Sequence, residues 1–171
     1  EALVDGFEEP IKILDCLFAR PVENWGSAFA EDRDFFTRHL PDKKLEVQLA
    51  DLDKFTEQVG WAHAISIRGG ETDALIGSLN KNTGWQKELH DKTLAGSSAG
   101  ADAIAKYYYD LDNLELKEGM GLLPVKVLVH YRSDYNASNV DWNKAYSELK
   151  DYKENIPILA LAEGQFEVRV K

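Results

Sequence analysis

Apolar runs rich in residues that favour strands alternate along the chain with segments whose apolar residues recur every three or four positions. Runs of the first kind are typical of buried strands, and segments of the second kind are typical of helices that cover them. The pattern predicts strands at 11–18, 44–50, 62–67 and 124–131, helices at 27–40, 52–60, 72–79 and 140–154, and a closing strand pair at 156–171.

The order of these elements predicts the fold class. Strands and helices follow one another in turn, as in an α/β domain whose mainly parallel sheet carries helices on both faces. Neither an internal repeat nor a low-complexity linker interrupts the 171 residues, which are enough for one hydrophobic core. We therefore expect a single domain over residues 1–171, a three-layer sandwich around an open sheet.

Residues 92–109, KTLAGSSAGADAIAKYYY, concentrate small residues between a predicted short strand and a predicted helix from about Ser98 to Tyr109. The centre of this stretch matches G-x-S-x-G, the nucleophile elbow, in which a strand turns sharply into a helix and presents a serine. Ser98 has a glycine at both required offsets, so it is the candidate nucleophile. The alternative is a chance match, which arises in about 5% of chains of this length.

A serine nucleophile needs a general base, and the chain has four histidines. His130 ends the strand predicted at 124–131, at the carboxyl edge where open α/β sheets place their sites. His39 ends a helix, His63 begins a strand and His90 lies in a polar loop. The position at a strand end therefore favours His130 as the base.

Backbone N–H groups for an oxyanion hole are expected at two places. Ala99 directly follows the candidate nucleophile, and Gly69-Gly70 follows the strand predicted at 62–67. A tight turn between a strand and a helix is the alternative interpretation of the glycine pair. Neither the dinucleotide-binding nor the phosphate-binding glycine motif is present in the sequence.

Composition and charge exclude several classes of protein. The net charge of −10 argues against a nucleic-acid partner, and no apolar run approaches the length of a membrane span. The single cysteine, Cys16, cannot form an internal disulfide, which is typical of a reducing cytoplasm, and its apolar surroundings predict a buried, inert thiol. Histidines and cysteines do not cluster at metal-binding spacing, so we expect neither a metal nor another cofactor.

Four blocks, in this order, resemble the peptidase E family of serine peptidases, which comprises aspartyl dipeptidases and their cyanophycinase relatives. RGGETDAL is similar to the family's GGGNT stretch, AGSSAGA to its nucleophile elbow, GMGLLPVKVLVHY to the segment that ends in the catalytic histidine, and LALAEGQFEV to its closing LPEG stretch. Together the blocks span residues 68 to 168. Members of the family usually begin with a further strand, so we expect this chain to lack an N-terminal piece.

The resemblance implies a fold similar to class I glutamine amidotransferases and a catalytic triad of Ser98, His130 and an acid. Asp110, shortly after the elbow, is the predicted acid, with Asp112 and Glu163 as alternatives. The resemblance also implies oxyanion donors at Gly70 or Gly69 and at Ala99. A glutamine amidotransferase activity is excluded, because it would need a cysteine at the elbow and a His-x-Glu pair.

The implied substrates are small peptides such as N-terminal aspartyl dipeptides, whose carboxylate needs a cation. Arg68 and Arg132 adjoin the predicted site in sequence, although either could be a plain surface residue. Arg68 and Glu71 replace a glycine and an asparagine of the family pattern, which would alter the substrate pocket. We expect a cytoplasmic enzyme, a monomer or homodimer, with no nucleic-acid or membrane partner. The alternatives are a hydrolase of another amide or ester, and an inactive binding or regulatory domain of the same fold.

Overall fold

The computed structural model describes residues 2–134 and 140–170. The chain forms two compact units, Glu1–Gly100 and Ala101–Lys171. Each unit is built on a four-stranded sheet. Across the described residues, no helix is long and apolar enough to cross a membrane.

The first unit is a parallel sheet whose strands are joined by helices. Every strand pairing in it is parallel, so the carboxyl ends of the strands meet at one edge. The strands are β1 (Ile11–Cys16), β2 (Leu45–Leu49), β3 (Ala64–Ile67) and β4 (Thr93–Gly96), in the order β2-β1-β3-β4. The helices are α1 (Trp25–His39), α2 (Phe55–Trp61) and α3 (Thr72–Lys81).

One core cluster of the first unit lies between the central strands and α1. Ile11 and Ile13 of β1 pack against Phe36 of α1, because alternate residues of a strand share one face. The residues of α1 that are buried recur at four-residue spacing: Ala28, Asp32 and Phe36. Asp32 is thus a carboxylate within an otherwise apolar stripe.

The sixth residue of β1, Cys16, confirms the expectation of an inert thiol. Its side chain is fully buried and unpaired with any other cysteine. Burial raises the pKa of the Cys16 thiol to about 12. A thiol with such a pKa carries almost no thiolate at neutral pH and is not a nucleophile.

The second unit is a mixed sheet covered by one long helix. Tyr107, Tyr109 and Leu128 of the sheet pack against Ala145 and Leu149 of that helix. The strands are β5 (Ala105–Asp110), β6 (Glu115–Glu118), β7 (Leu123–Leu128) and β8 (Ile158–Ala160), in the order β6-β5-β7-β8, with only β5–β6 antiparallel among the described pairings. The long helix is α5 (Trp142–Asp151), and the short helix α4 (Ala99–Ile104), which follows β4 along the chain, begins in the first unit and continues into the second.

The predicted α/β class, with mainly parallel strands flanked by helices, is confirmed. The helix predicted from Ser98 to Tyr109 was wrong beyond Ile104, since residues 105–110 form β5. The spacing of the buried side chains identifies a strand, because Tyr107 and Tyr109 are two residues apart and pack on α5 from the same face. Of the strand pair predicted at 156–171, only β8 forms a strand within the described part of the chain.

Candidate active site

Ser98 lies at the turn between β4 and α4, as the G-x-S-x-G motif predicted. β4 ends at Gly96 and α4 begins at Ala99, so the chain reverses direction over two residues. Ser98 has a φ of +52°, in the left-handed region that residues with a Cβ rarely adopt. Such a conformation persists only where the surrounding structure fixes it, and it is concentrated at functional sites.

Contacts with β3 fix this turn. The N–H of Ser97 donates to the carbonyl of Ile67 at 3.0 Å, and the N–H of Gly100 donates to the carbonyl of Ser97 at 2.9 Å. A Cβ at Gly100 would lie only 2.2 Å from the Ile67 carbonyl oxygen. The second glycine of the motif is therefore required for α4 to begin so close to β3.

The glycine pair after β3 lies directly beside Ser98. A Cβ added to Gly69 would stand 2.9 Å from the Cβ of Ser98. Gly70 has a φ of +153°, and a Cβ there would stand 2.2 Å from the carbonyl oxygen of Ala19. The pair thus runs between the elbow and the loop that follows β1, with no room for side chains.

Two backbone N–H groups beside Ser98 are suited to bind an oxyanion. Ala99 is the first residue of α4, where N–H groups have no acceptor within the helix. Within the part of the chain that the structure describes, no carbonyl accepts the N–H of Gly70. Both residues belong to the first unit, together with Ser98.

A group of charged side chains lies at the same edge of the first sheet. Arg68, directly before the glycine pair, pairs with Asp32 of α1 at 2.9 Å. Asp15 of β1 is completely buried, and neither of its carboxylate oxygens has a hydrogen-bond donor among the described residues. Burial and the neighbouring charge of Asp32 raise the pKa of Asp15 from 3.8 to about 7, against the opposing effects of Arg68 and Arg20.

His130 follows β7 in the second unit, at the carboxyl end of that strand, and adopts a φ of +55°. Its Nδ1 is hydrogen-bonded to Oε1 of Glu163. The bond is possible because backbone hydrogen bonds join Tyr131 to Leu161 and Leu161 to Leu128, which brings the chain after β8 alongside the end of β7.

Asp110, the predicted acid, is the last residue of β5, at the turn before β6. One of its oxygens accepts the N–H groups of Asp112 and Asn113 at 2.9 and 3.2 Å, and the other pairs with Lys117 at 2.7 Å. Burial alone would raise the pKa of Asp110, but the hydrogen bonds from Lys117, Asn113 and Asp112 outweigh burial and lower it. The carboxylate at Nδ1 of His130 is that of Glu163, one of the two alternatives, whereas the other, Asp112, is exposed in the same turn.

The three predicted substrate-binding residues lie in different surroundings. The charge of Arg68 is balanced by Asp32. Both carboxylate oxygens of Glu71 cap α3, accepting the N–H groups of its second and third residues. Arg132 lies over the ring of Tyr131 and lines an open cavity of about 660 Å³ in the second unit, together with Ser133, Asp134, Ala162 and Glu163.

Asp15, Asp32 and Arg20 were not singled out from the sequence. A signal for the first two exists, because Asp15 interrupts an apolar strand and Asp32 interrupts the apolar stripe of a helix. A buried carboxylate at such a position needs a partner or a raised pKa. Among the described residues, no group of three or more His, Cys, Asp or Glu side chains is arranged to hold a metal ion.

A serine on a strained turn between a strand and a helix, beside a glycine pair at the same sheet edge, is the arrangement of an α/β serine hydrolase. The model of Peptidase family S51 matches residues 21–170. The chain therefore belongs to peptidase family S51, a family of serine peptidases.

The fold is also similar to that of a solved structure. A 1.5 Å crystal structure of a Listeria monocytogenes EGD-e protein, provisionally assigned as a peptidase E, superposes with a TM-score of 0.65 at 19% sequence identity. The similarity covers 93% of this chain and 81% of the other. The comparison with curated proteins gave no match.

Proposed function

We propose that this protein is a serine peptidase that cleaves small peptides, such as N-terminal aspartyl dipeptides, through an acyl-enzyme. The observation that carries the proposal is the left-handed backbone of Ser98, held against Gly69 at the carboxyl edge of the first sheet. A strained serine beside backbone N–H donors is the arrangement that acyl transfer requires. Membership of peptidase family S51 supports the same reaction.

In the proposed mechanism, His130 accepts the hydroxyl proton of Ser98 while Oγ attacks the carbonyl carbon of the peptide bond. The N–H groups of Gly70 and Ala99 bind the oxyanion that forms. Collapse of this intermediate breaks the C–N bond, and the leaving amine takes the proton from His130. A water molecule then attacks the acyl ester in the same way and regenerates the serine.

We assign the orienting acid to Glu163. A carboxylate hydrogen-bonded to Nδ1 fixes the tautomer in which Nε2 is free to accept a proton. Glu163 makes this bond, while the carboxylate of Asp110 is occupied by a turn and by Lys117. Asp110 then acts in the stability of the β5–β6 connection.

A cation for the aspartyl carboxylate is better supplied by Arg132 than by Arg68. Arg68 is neutralised by Asp32, whereas Arg132 has its terminal nitrogen 3.3 Å from the neutral Asn143 side chain and lines the same cavity as Glu163. We further propose that the enzyme is cytoplasmic and acts as a monomer or homodimer without a cofactor, nucleic acid or membrane.

The test is labelling by a fluorophosphonate, which reacts with activated serines, together with hydrolysis of a panel of dipeptides and esters. We expect the probe on Ser98 and a loss of hydrolysis of at least about 10³-fold in Ser98→Ala. Ser97→Ala, one residue earlier and exposed, is the matched control and should keep full activity. Undiminished hydrolysis by Ser98→Ala, or an unlabelled wild-type protein, would contradict the proposal.

A further inference from the structure

We infer that Arg20 is a positioning residue that orients the Gly69–Gly70 peptide so that the N–H of Gly70 serves the oxyanion hole. The inference rests on the proposed function, since it assigns a role in the same site. Arg20 lies in the loop after β1, outside all the sequence blocks of the family resemblance, which begin at residue 68.

The contact itself is a hydrogen bond from Nε–H of Arg20 to the carbonyl oxygen of Gly69 at 3.1 Å. A guanidinium donor makes this bond charge-assisted, and such bonds are stronger than those between neutral groups. Arg20 is half-buried, which limits the competition from water.

The bond determines the direction of the next N–H. In a trans peptide, the C=O of one residue and the N–H of the following residue point to opposite sides of the same plane. Since Arg20 holds the carbonyl of Gly69, the N–H of Gly70 must point away from Arg20. A rotation of this one peptide plane would turn the donor away from its oxyanion.

The glycine pair needs such a restraint because other contacts fix only its ends. On one side, the N–H of Arg68 donates to the carbonyl of Cys16 at 3.0 Å. On the other, the N–H of Glu71 donates to the carbonyl of Ala19 at 2.8 Å. Glycines rotate more freely than any other residue, so the plane between these anchors is the part of the loop that Arg20 stabilises.

Arg20 is itself held in place. Its N–H donates to the carbonyl of Leu17 at 2.9 Å, and its carbonyl accepts the indole N–H of Trp25 at 2.9 Å. The backbone of Arg20 is thus fixed by Leu17, directly after β1, on one side and by Trp25, the first residue of α1, on the other. The side chain therefore reaches Gly69 from a defined position.

The experiment compares Arg20→Met with Arg20→Gln. Glutamine carries its amide nitrogen the same number of bonds from Cα as Nε of arginine, so it keeps the donor, while methionine has a similar length and none. Arg33→Met, an exposed arginine of α1, controls for the loss of a positive charge in the same unit.

We expect Arg20→Met to slow fluorophosphonate labelling of Ser98, and to lower kcat for a cleaved dipeptide, by about 10-fold to 100-fold, somewhat less than removal of an oxyanion donor. KM should change little, because the carbonyl becomes an oxyanion only in the transition state. Arg20→Gln should recover most of the rate, and Arg33→Met should match the wild type.

Two outcomes separate this inference from the proposed function. If the wild type is labelled at Ser98 and Arg20→Met is labelled equally fast, Arg20 has no positioning role, although the serine peptidase stands. If the wild type is not labelled, both fail. A measurement on the wild type alone is independent of how the variants fold: the Nε–H of Arg20 should exchange slowly with solvent by NMR, and rapid exchange would overturn the inference.

Discussion

Asp15 offers a quantitative test of the charged group beside the glycine pair. Its carboxyl is completely buried, and its pKa is raised from 3.8 to about 7 by burial and by the charge of Asp32. Between these two pH values, the folded protein keeps a proton that the unfolded chain has lost. The free energy of unfolding therefore decreases as the pH rises through this interval.

The size of the effect follows from the same two values. At about 1.4 kcal/mol for each pH unit, the interval from 3.8 to about 7 corresponds to roughly 4 kcal/mol. Asp15→Asn carries no titratable group, and its amide can donate to Asp32 as a protonated carboxyl would. We therefore expect the stability of Asp15→Asn, relative to the wild type, to increase by roughly 4 kcal/mol between pH 4 and pH 8.

Urea unfolding of both proteins at several pH values measures this difference, because other titrating groups cancel in the comparison. Asp34→Asn is the matched control, since Asp34 lies on α1 but is exposed and pairs with Arg38 at the surface. The free energy of unfolding of Asp34→Asn should stay within about 1 kcal/mol of the wild-type value, as for other exposed ion pairs. A constant difference between Asp15→Asn and the wild type from pH 4 to pH 8 would refute the reasoning.

Two pairs of substitutions, each with its control, test the site and its scaffold. Glu163→Gln should lower kcat for dipeptide hydrolysis by about 10²-fold to 10⁴-fold, because its amide no longer fixes the histidine tautomer. Asp110→Asn should change kcat by less than about 3-fold and lower only the melting temperature. Equal losses of kcat in the two variants would contradict the assignment of the acid. Gly100→Ala should destabilise the protein by about 1–3 kcal/mol in urea unfolding, because its Cβ would meet a carbonyl oxygen at 2.2 Å. Gly77 lies in the exposed middle of α3, where an added Cβ would have no atom within 4 Å, so Gly77→Ala should instead stabilise the protein by about 0.5–1 kcal/mol. A decrease in the free energy of unfolding of Gly77→Ala would contradict the argument from the Cβ contacts.

The elements of the first unit could be predicted because their signals are local. β1 and β3 are short, mostly apolar runs, and crossovers between parallel strands are usually made by helices. In the second unit, the run from Ala99 to Asp110 contains both a helix and a strand. Alanines favour the helix, but the three tyrosines become a strand through pairing with β6 and β7, which no local pattern encodes.

β6 itself carries no apolar signal, because it is the charged edge strand Glu115–Glu118. Without it, the position of Asp110 after the predicted elbow helix suggested a catalytic acid. With β6 in place, Asp110 ends β5 at a hairpin turn, and its carboxylate pairs with Lys117 of β6.

The elbow and the glycine pair were predictable, because both motifs follow a strand and a parallel sheet brings strand ends together. The choice of Glu163 over Asp110 as the partner of His130 was not, because the chain after β8 reaches Nδ1 only through backbone hydrogen bonds that form in the folded unit. Arg20 was not predictable either, since its role depends on β1 and β3 being neighbours in the sheet.

The left-handed backbone conformation of Ser98 lowers the stability of the folded protein. A residue with a Cβ in that conformation costs about 1–2 kcal/mol, which glycine would avoid. Selection for stability alone would favour glycine in place of Ser98 at this turn. Under the proposed function, the hydroxyl at this corner therefore comes with a loss of stability that glycine would not carry.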